Sequence, residues 1–269
     1  MIRTTETGWD ILADATEDTS GPNQTFEPMP EAAAKAKTKR MIALGLWAVA
    51  IILELVAIFW LLRPSFDELV AAQGFPQWRW YTLIGFVVVI GILAIIGSLL
   101  WKQANRLDPA SRKEPVKFFI QNQLGAFIAL LAFLPLIAMI FLNKDMDAKQ
   151  KNIAGGAAVV VAILATVIGI DFQPLSKEQV AVESQVVRQL VGQDLVWWSA
   201  GGGVVHLCEG VSDLANVTTA VSSGAISEAL ALGKKGITLE LKDELGQCGF
   251  AEPSNISDIV QWVRAARGV

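Results

Sequence analysis

The chain has 269 residues, 53% of them hydrophobic and only 18% charged, and its mean hydropathy is positive. That balance is unusual for a water-soluble domain. A formal net charge of −4, with no basic stripe interleaved with aromatics, argues against a nucleic-acid binder.

Residues 1–34 carry Asp, Glu, Thr, Pro and Gly with too few hydrophobes to bury a core, so they read as a disordered tail. Trp9, Ile11 and Leu12 form a small apolar patch within it. No early apolar core marks a secretory signal peptide, so the first membrane span is expected to act as its own insertion signal. Residues 31–40 are helix-prone and lead into that span.

Residues 35–171 read as a four-helix transmembrane domain. The apolar runs are Met41–Leu62, Tyr81–Trp101, Leu124–Leu142 and Ile153–Ile170. Each has the length, about 18 residues or more, that a helix needs to cross roughly 30 Å of hydrocarbon. Trp60, Trp78, Trp80, Tyr81 and Trp101 fall near the expected headgroup levels, where amphipathic rings anchor.

Charge sets the expected orientation. Lys35, Lys37, Lys39 and Arg40 precede the first span, and Lys102, Arg106, Arg112, Lys113 and Lys117 fill the second connection. The other two connections are poorer in cations and mix Arg63, Arg79, Lys144, Lys149 and Lys151 with Asp67, Glu68, Asp145 and Asp147. The positive-inside rule then places both termini on the cytoplasmic side of the membrane. Cys208 and Cys248 would face a reducing compartment and remain thiols. On the opposite side of the membrane, a bridge between them would be expected.

Three features inside the spans invite a role. Val116–Gln123 reads as an interfacial turn of helix or as the bundle-facing end of span three, and Pro135 should kink that span. Gly155, Gly156, Ala158, Ala162, Ala165 and Gly169 give span four a small-residue face on which helices pack closely. Glu54 lies near the centre of span one, where an ionised carboxylate costs about 2.5 kcal/mol or more. With no Lys, Arg or His at matching depth, a protonated Glu54 held by a hydrogen bond is the simplest state, and an ion site is the functional alternative.

Residues 172–269 read as a small α+β soluble domain. Ser176-Lys177-Glu178-Gln179 has the form of a capping box and opens an amphipathic helix that stops at Gly192. Leu195–Ser199 and Val204–Leu207 flank Gly201-Gly202-Gly203 and predict a β-hairpin. Ser223–Leu232 predicts a helix, Ile237–Lys242 a strand, and Ser254–Arg267 a final amphipathic helix. The triple glycine lacks the Lys-Ser/Thr ending of a phosphate loop, and the acidic residues lack EF-hand spacing.

Within this domain Val196, Trp198, Ser199, Gly202, His206, Ser212, Leu214, Gly224, Glu228, Ala229, Gly233 and Lys234 form a pattern. It resembles a small module appended to bacterial membrane and secreted proteins, V-Y-W-T-x-x-G-x-x-Y-H followed by Cys, S-G-x-x-x-E-A-x-x-x-G-K and a closing Cys-x-x-Cys. Together with the four spans, this makes the chain similar to actinobacterial-type membrane proteins carrying such a module. The resemblance implies a metal-knuckle-like fold in Cys-rich members and no enzymatic activity. Here Val211 stands at the first expected Cys, Cys208 is displaced three residues earlier, and Cys248 alone remains of the closing pair. His206, Cys208 and Cys248 supply at most three soft ligands where structural zinc takes four, so no metal or other cofactor is expected.

His206 and Cys208 could in principle act as a nucleophile pair, oriented by Asp194, Glu209 or Asp213, but no spacing demands it. The reading is therefore a non-enzymatic accessory, scaffolding or regulatory subunit. Its expected partners are the lipid bilayer and other membrane-protein subunits, not nucleic acid. The alternative is a small transporter or channel using Glu54.

Overall fold

The computed structural model describes residues 26–268, so the Trp9, Ile11 and Leu12 patch lies outside the described residues. The chain divides into two compact units, Pro28–Ser176 and, among the described residues, essentially Lys177–Gly268.

The first unit is built on four long helices. Helix α1 spans Pro30–Val56 and continues as one π-helical turn, Ala57–Leu61. A short α2, Phe66–Ala72, lies in the first connection. Helices α3, α4 and α5 span Gln77–Leu107, Pro115–Leu142 and Ala148–Gly169. All four long helices are long and apolar enough to cross a membrane. Only 33–39% of each apolar stretch is buried, so most of those side chains face outward. Lipid accepts that distribution; water does not.

The helices outrun the apolar runs because their ends are polar yet helical. Pro30 and Pro115 sit in the first turns of α1 and α4, where no N–H is needed. Residues 30–34 are therefore helical, and the expected tail stops short of them. Val116–Gln123 belongs to α4, with Asn122 buried, and α4 runs on through Pro135.

Helix α3 packs against the other three. Leu83, Val87, Ile90, Phe133, Leu136 and Ile140 form the centre of the core. Trp47 is buried against α3, its indole Nε1 donating to the Ala94 carbonyl at 3.3 Å. Gly97 makes room for it, since a Cβ there would run into the indole.

One end of the bundle is a polar network. Asn105 Nδ2 donates to the Gln121 carbonyl at 2.8 Å, Trp101 Nε1 donates to the same carbonyl at 2.7 Å, and Arg40 pairs with Asp108 at 2.7 Å. At the other end Ser65 and Glu68 form a capping box on α2. The Glu68 carboxyl, held first by the Ser65 backbone N–H and also by Arg79, lies below its ordinary pKa range. Arg79 also bonds the Trp60 carbonyl and lies over the rings of Trp60 and Trp78.

Helices α4 and α5 approach through small residues. Gly155, Ala158, Ala162, Ala165 and Gly169 are buried, whereas Gly156 is half-buried beside open space. A Cβ on Gly169 would stand 2.6 Å from the Ala126 nitrogen, which is backbone and cannot swing away. Gly169→Ala should therefore cost about 1–3 kcal/mol by overpacking. Gly156→Ala should be neutral or slightly stabilising. Thermal unfolding of both variants in detergent checks the contrast; equal midpoints would refute the close approach.

The second unit holds α6 (Lys177–Val191), β1 (Val196–Ser199), α7 (Ser212–Ala215), β2 (Val221–Gly224), α8 (Ile226–Ala231), α9 (Leu241–Cys248) and α10 (Ile256–Arg267). Strands β1 and β2 pair antiparallel, Val196 opposite Gly224 and Ser199 opposite Val221. The expected hairpin partner of β1 is reduced to one bridge, Trp197 with His206. Val205 in turn bridges Ile237.

Two sequence expectations change here. Residues 221–224 are strand, so the helix expected over Ser223–Leu232 begins only at Ile226. Ile237–Lys242 is not a strand: Ile237 makes a single bridge, and Leu241 already opens α9. The period of Leu241, Glu244, Leu245 and Cys248 is helical, and the first three are buried on one face.

Candidate functional site

The residues singled out in the C-terminal unit converge on its Gly-rich turn and on α9. Cys208 and Cys248 are joined in a disulfide, with Cα atoms 5.9 Å apart. The structure thus has a bridge where the cytoplasmic orientation predicts two thiols. Flanking charge speaks to insertion, but it carries no information about which side chains the fold brings together.

The bridge ties α9 to the segment that carries His206. His206 Nδ1 lies 2.5 Å from Glu244 Oε1, and both side chains are almost fully buried. Glu244 Oε2 accepts from the Leu207 backbone N–H at 2.9 Å. The orienting acid is thus Glu244, not Asp194, Glu209 or Asp213. Asp194 instead accepts from Ser184 Oγ at 2.6 Å and from the Ile226 N–H at 3.1 Å, and Glu209 and Asp213 are exposed. Glu244 sits one helical turn before Cys248, and His206 two residues before Cys208. Reading 241–248 as helix would have placed acid and sulfur on the same side.

Lys234 closes the Gly-rich turn. Its Nζ donates to the carbonyls of Ser199 at 2.7 Å, Ala200 at 3.1 Å and Gly202 at 2.6 Å. The Gly202 N–H donates to Ser199 Oγ at 3.0 Å. The ammonium thus occupies the concave side of the loop, the place a phosphate would need. Trp198 is buried and packs beside Gly224 on the paired strand.

A second buried acid ties α6 to the Ile237 segment and the end of α10. Glu183 is fully buried and accepts from Arg267 Nε at 2.9 Å, Gln179 Nε2 at 2.9 Å and the Ile237 N–H at 2.7 Å. Arg267 Nη2 also donates to the Ile237 carbonyl at 2.6 Å. Gly236 has φ +130° and lies against this pair, where a Cβ would overlap the carboxylate and the guanidinium. No sequence signal joins Glu183 to Arg267, 84 residues away.

In the helical unit Glu54 lies on the buried face of α1, 4% exposed. Its Oε1 has no hydrogen-bond partner among the described residues.

Among the described residues no three His, Cys, Asp or Glu side chains cluster as metal ligands. The two sulfurs are bonded to each other and His206 Nδ1 is engaged by Glu244, so the donors do not fit a zinc site.

These features define a class: four long apolar helices followed by a small disulfide-bridged domain of short helices around a two-stranded sheet. No family model, curated protein or solved structure matches the chain.

Proposed function

We propose that the protein is a non-enzymatic, multi-pass accessory or scaffolding subunit of a bacterial membrane complex. In this reading the four helices anchor it and the C-terminal unit offers a rigid binding surface. The observation that carries the reading is how the buried and half-buried polar side chains of that unit are used. Glu183, Glu244 and Lys234 each bond backbone groups brought together from distant segments. Such bonds fix a shape and leave those groups committed to it. The test is purification of the full chain in mild detergent. Stoichiometric larger membrane subunits support the reading, and a clean monomer or homo-oligomer overturns it.

The transporter reading has one observation in its favour, the unpartnered Oε1 of Glu54. Glu54→Gln separates the two. Intact assembly with abolished flux supports transport, whereas lost assembly supports a packing role.

For orientation, the cation excess at the end bearing Arg40 and Lys117 supports cytoplasmic termini. The Cys208–Cys248 bridge pulls the other way, because disulfides persist in oxidising compartments. In the cytoplasmic arrangement the pair is reduced in growing cells and closes on oxidation. Cells quenched in acid and treated with a maleimide polymer should then show two adducts without reductant. Adducts appearing only after reduction place the domain on the oxidising side and reverse the orientation.

A further inference from the structure

The geometry points to a binding site for an anionic phospholipid, in the groove between the N-terminal turns of α4 and the neighbouring ends of α1 and α3. The groove encloses about 720 Å³. Arg40, Trp101 and Lys117 line it, together with Val116, Ile120 and Leu124.

The lining is apolar along one row and charged at its head, where Glu114 and Gln121 also stand. Val116, Ile120 and Leu124 recur at four-residue spacing and form one row along α4. Val116 is 70% exposed and Ile120 49%, although both belong to a helix whose lower part is membrane-length and apolar. This row matches an acyl chain. At its head stand two cations on different helices. Arg40 is held in place by Asp108 at 2.7 Å, and its guanidinium lies 5.9 Å from the Trp101 ring centroid. Lys117 pairs with Glu114 at 2.9 Å, but both side chains are more than half exposed. An exposed pair of this kind is worth little and yields readily to a competing phosphate.

The occupant follows from the combination. A soluble anion has no use for the apolar row, and a neutral lipid has none for the cations. Lys37 and Lys39 on α1 and Lys113 before α4 add to the positive field at this end. With the long helices crossing a bilayer, a phospholipid phosphate held at this end would have its chain directed along α4. Trp101, whose indole donates to the Gln121 carbonyl at 2.7 Å, forms a fixed wall between headgroup and chain levels.

The experiment is native mass spectrometry of the full chain released from nanodiscs made of equal parts phosphatidylglycerol and phosphatidylcholine. One phosphatidylglycerol should be retained preferentially. Lys117→Gln should lower its retention about fivefold. Lys117 is exposed and its loss leaves the Arg40–Asp108 pair in place, so the variant folds. Ile120→Gln should weaken retention of the same lipid through its chain. Lys144→Gln, at the opposite end of the bundle, should change nothing. Equal retention of the two lipids, or retention unaffected by Lys117→Gln, overturns the site.

Discussion

Replacing Arg267 with alanine should destabilise the C-terminal unit by about 3–5 kcal/mol. The size follows from what is left behind. Glu183 has no exposure, and Arg267 is the cation paired with it. Without the guanidinium, a carboxylate remains in a dry interior with an amide and a backbone N–H as donors. The Ile237 carbonyl loses its 2.6 Å donor in the same stroke. A domain of this size has about 5–14 kcal/mol of total stability, so the change removes a large share of it. Lysine should rescue only part, because a point charge cannot serve both Glu183 Oε1 and the Ile237 carbonyl as the guanidinium fork does. Glu183→Gln should cost less than Arg267→Ala, since it removes the charge and keeps an acceptor for the backbone. Hydrogen exchange on the full chain reads this directly. Protection of Lys177–Val191 should fall in the order wild type, Glu183→Gln, Arg267→Ala; unchanged protection in Arg267→Ala would refute the account.

That pair also marks where the sequence stops being informative. The four long helices were legible because membrane spanning is a local property: about 20 apolar residues say it without reference to any partner. Their polar extensions were harder. Lys102–Leu107 and Pro115–Gln123 carry no membrane signal, and their helicity is supported by contacts such as Asn105 with Gln121. In the second unit, α6 and α10 announce themselves by period, with Val180, Val187 and Leu190 on one and Ile259 and Val263 on the other buried. Strand β2 does not. Val-Ser-Ser-Gly has no alternation, and it becomes a strand because β1 offers it an edge. The strand expected at Ile237–Lys242 fails for the converse reason. Alternation over six residues was weaker evidence than the helical period that begins at Leu241. The acid that meets His206 was invisible for the same cause, since Glu244 reaches it only from a helix. The small-residue face of α5 could be written down from sequence, but the difference between Gly169 and Gly156 depends on which neighbour stands opposite.

Opening the Cys208–Cys248 bridge should lower the stability of the C-terminal unit by about 4 kcal/mol. The bridge closes a separation of 40 residues. Loop-closure entropy gives about 3 kcal/mol for 15 residues and about 4.7 for 100, and the present loop falls between them. The consequence is local before it is global. The loop includes α7, β2, α8 and all of α9; His206 lies two residues before its first end and Glu244 four residues before its last. Once the bridge opens, α9 keeps its place through Leu241 and Leu245, both fully buried, and through the Glu244 contacts with His206 and the Leu207 N–H. Exchange should therefore rise first at Val205–Leu207 and along Leu241–Cys248. The double substitution Cys208→Ser with Cys248→Ser reproduces reduction without leaving a lone reactive thiol. Adding Glu244→Gln to it should cost more than Glu244→Gln does with the bridge intact, because the two ties hold the same pair of segments. The helices between Pro30 and Gly169 should keep their protection throughout, since the bridge closes a loop wholly within the second unit. Loss of protection there on reduction would mean that the two units do not stand independently; unchanged exchange in α9 would mean that the bridge contributes nothing to holding His206 against Glu244.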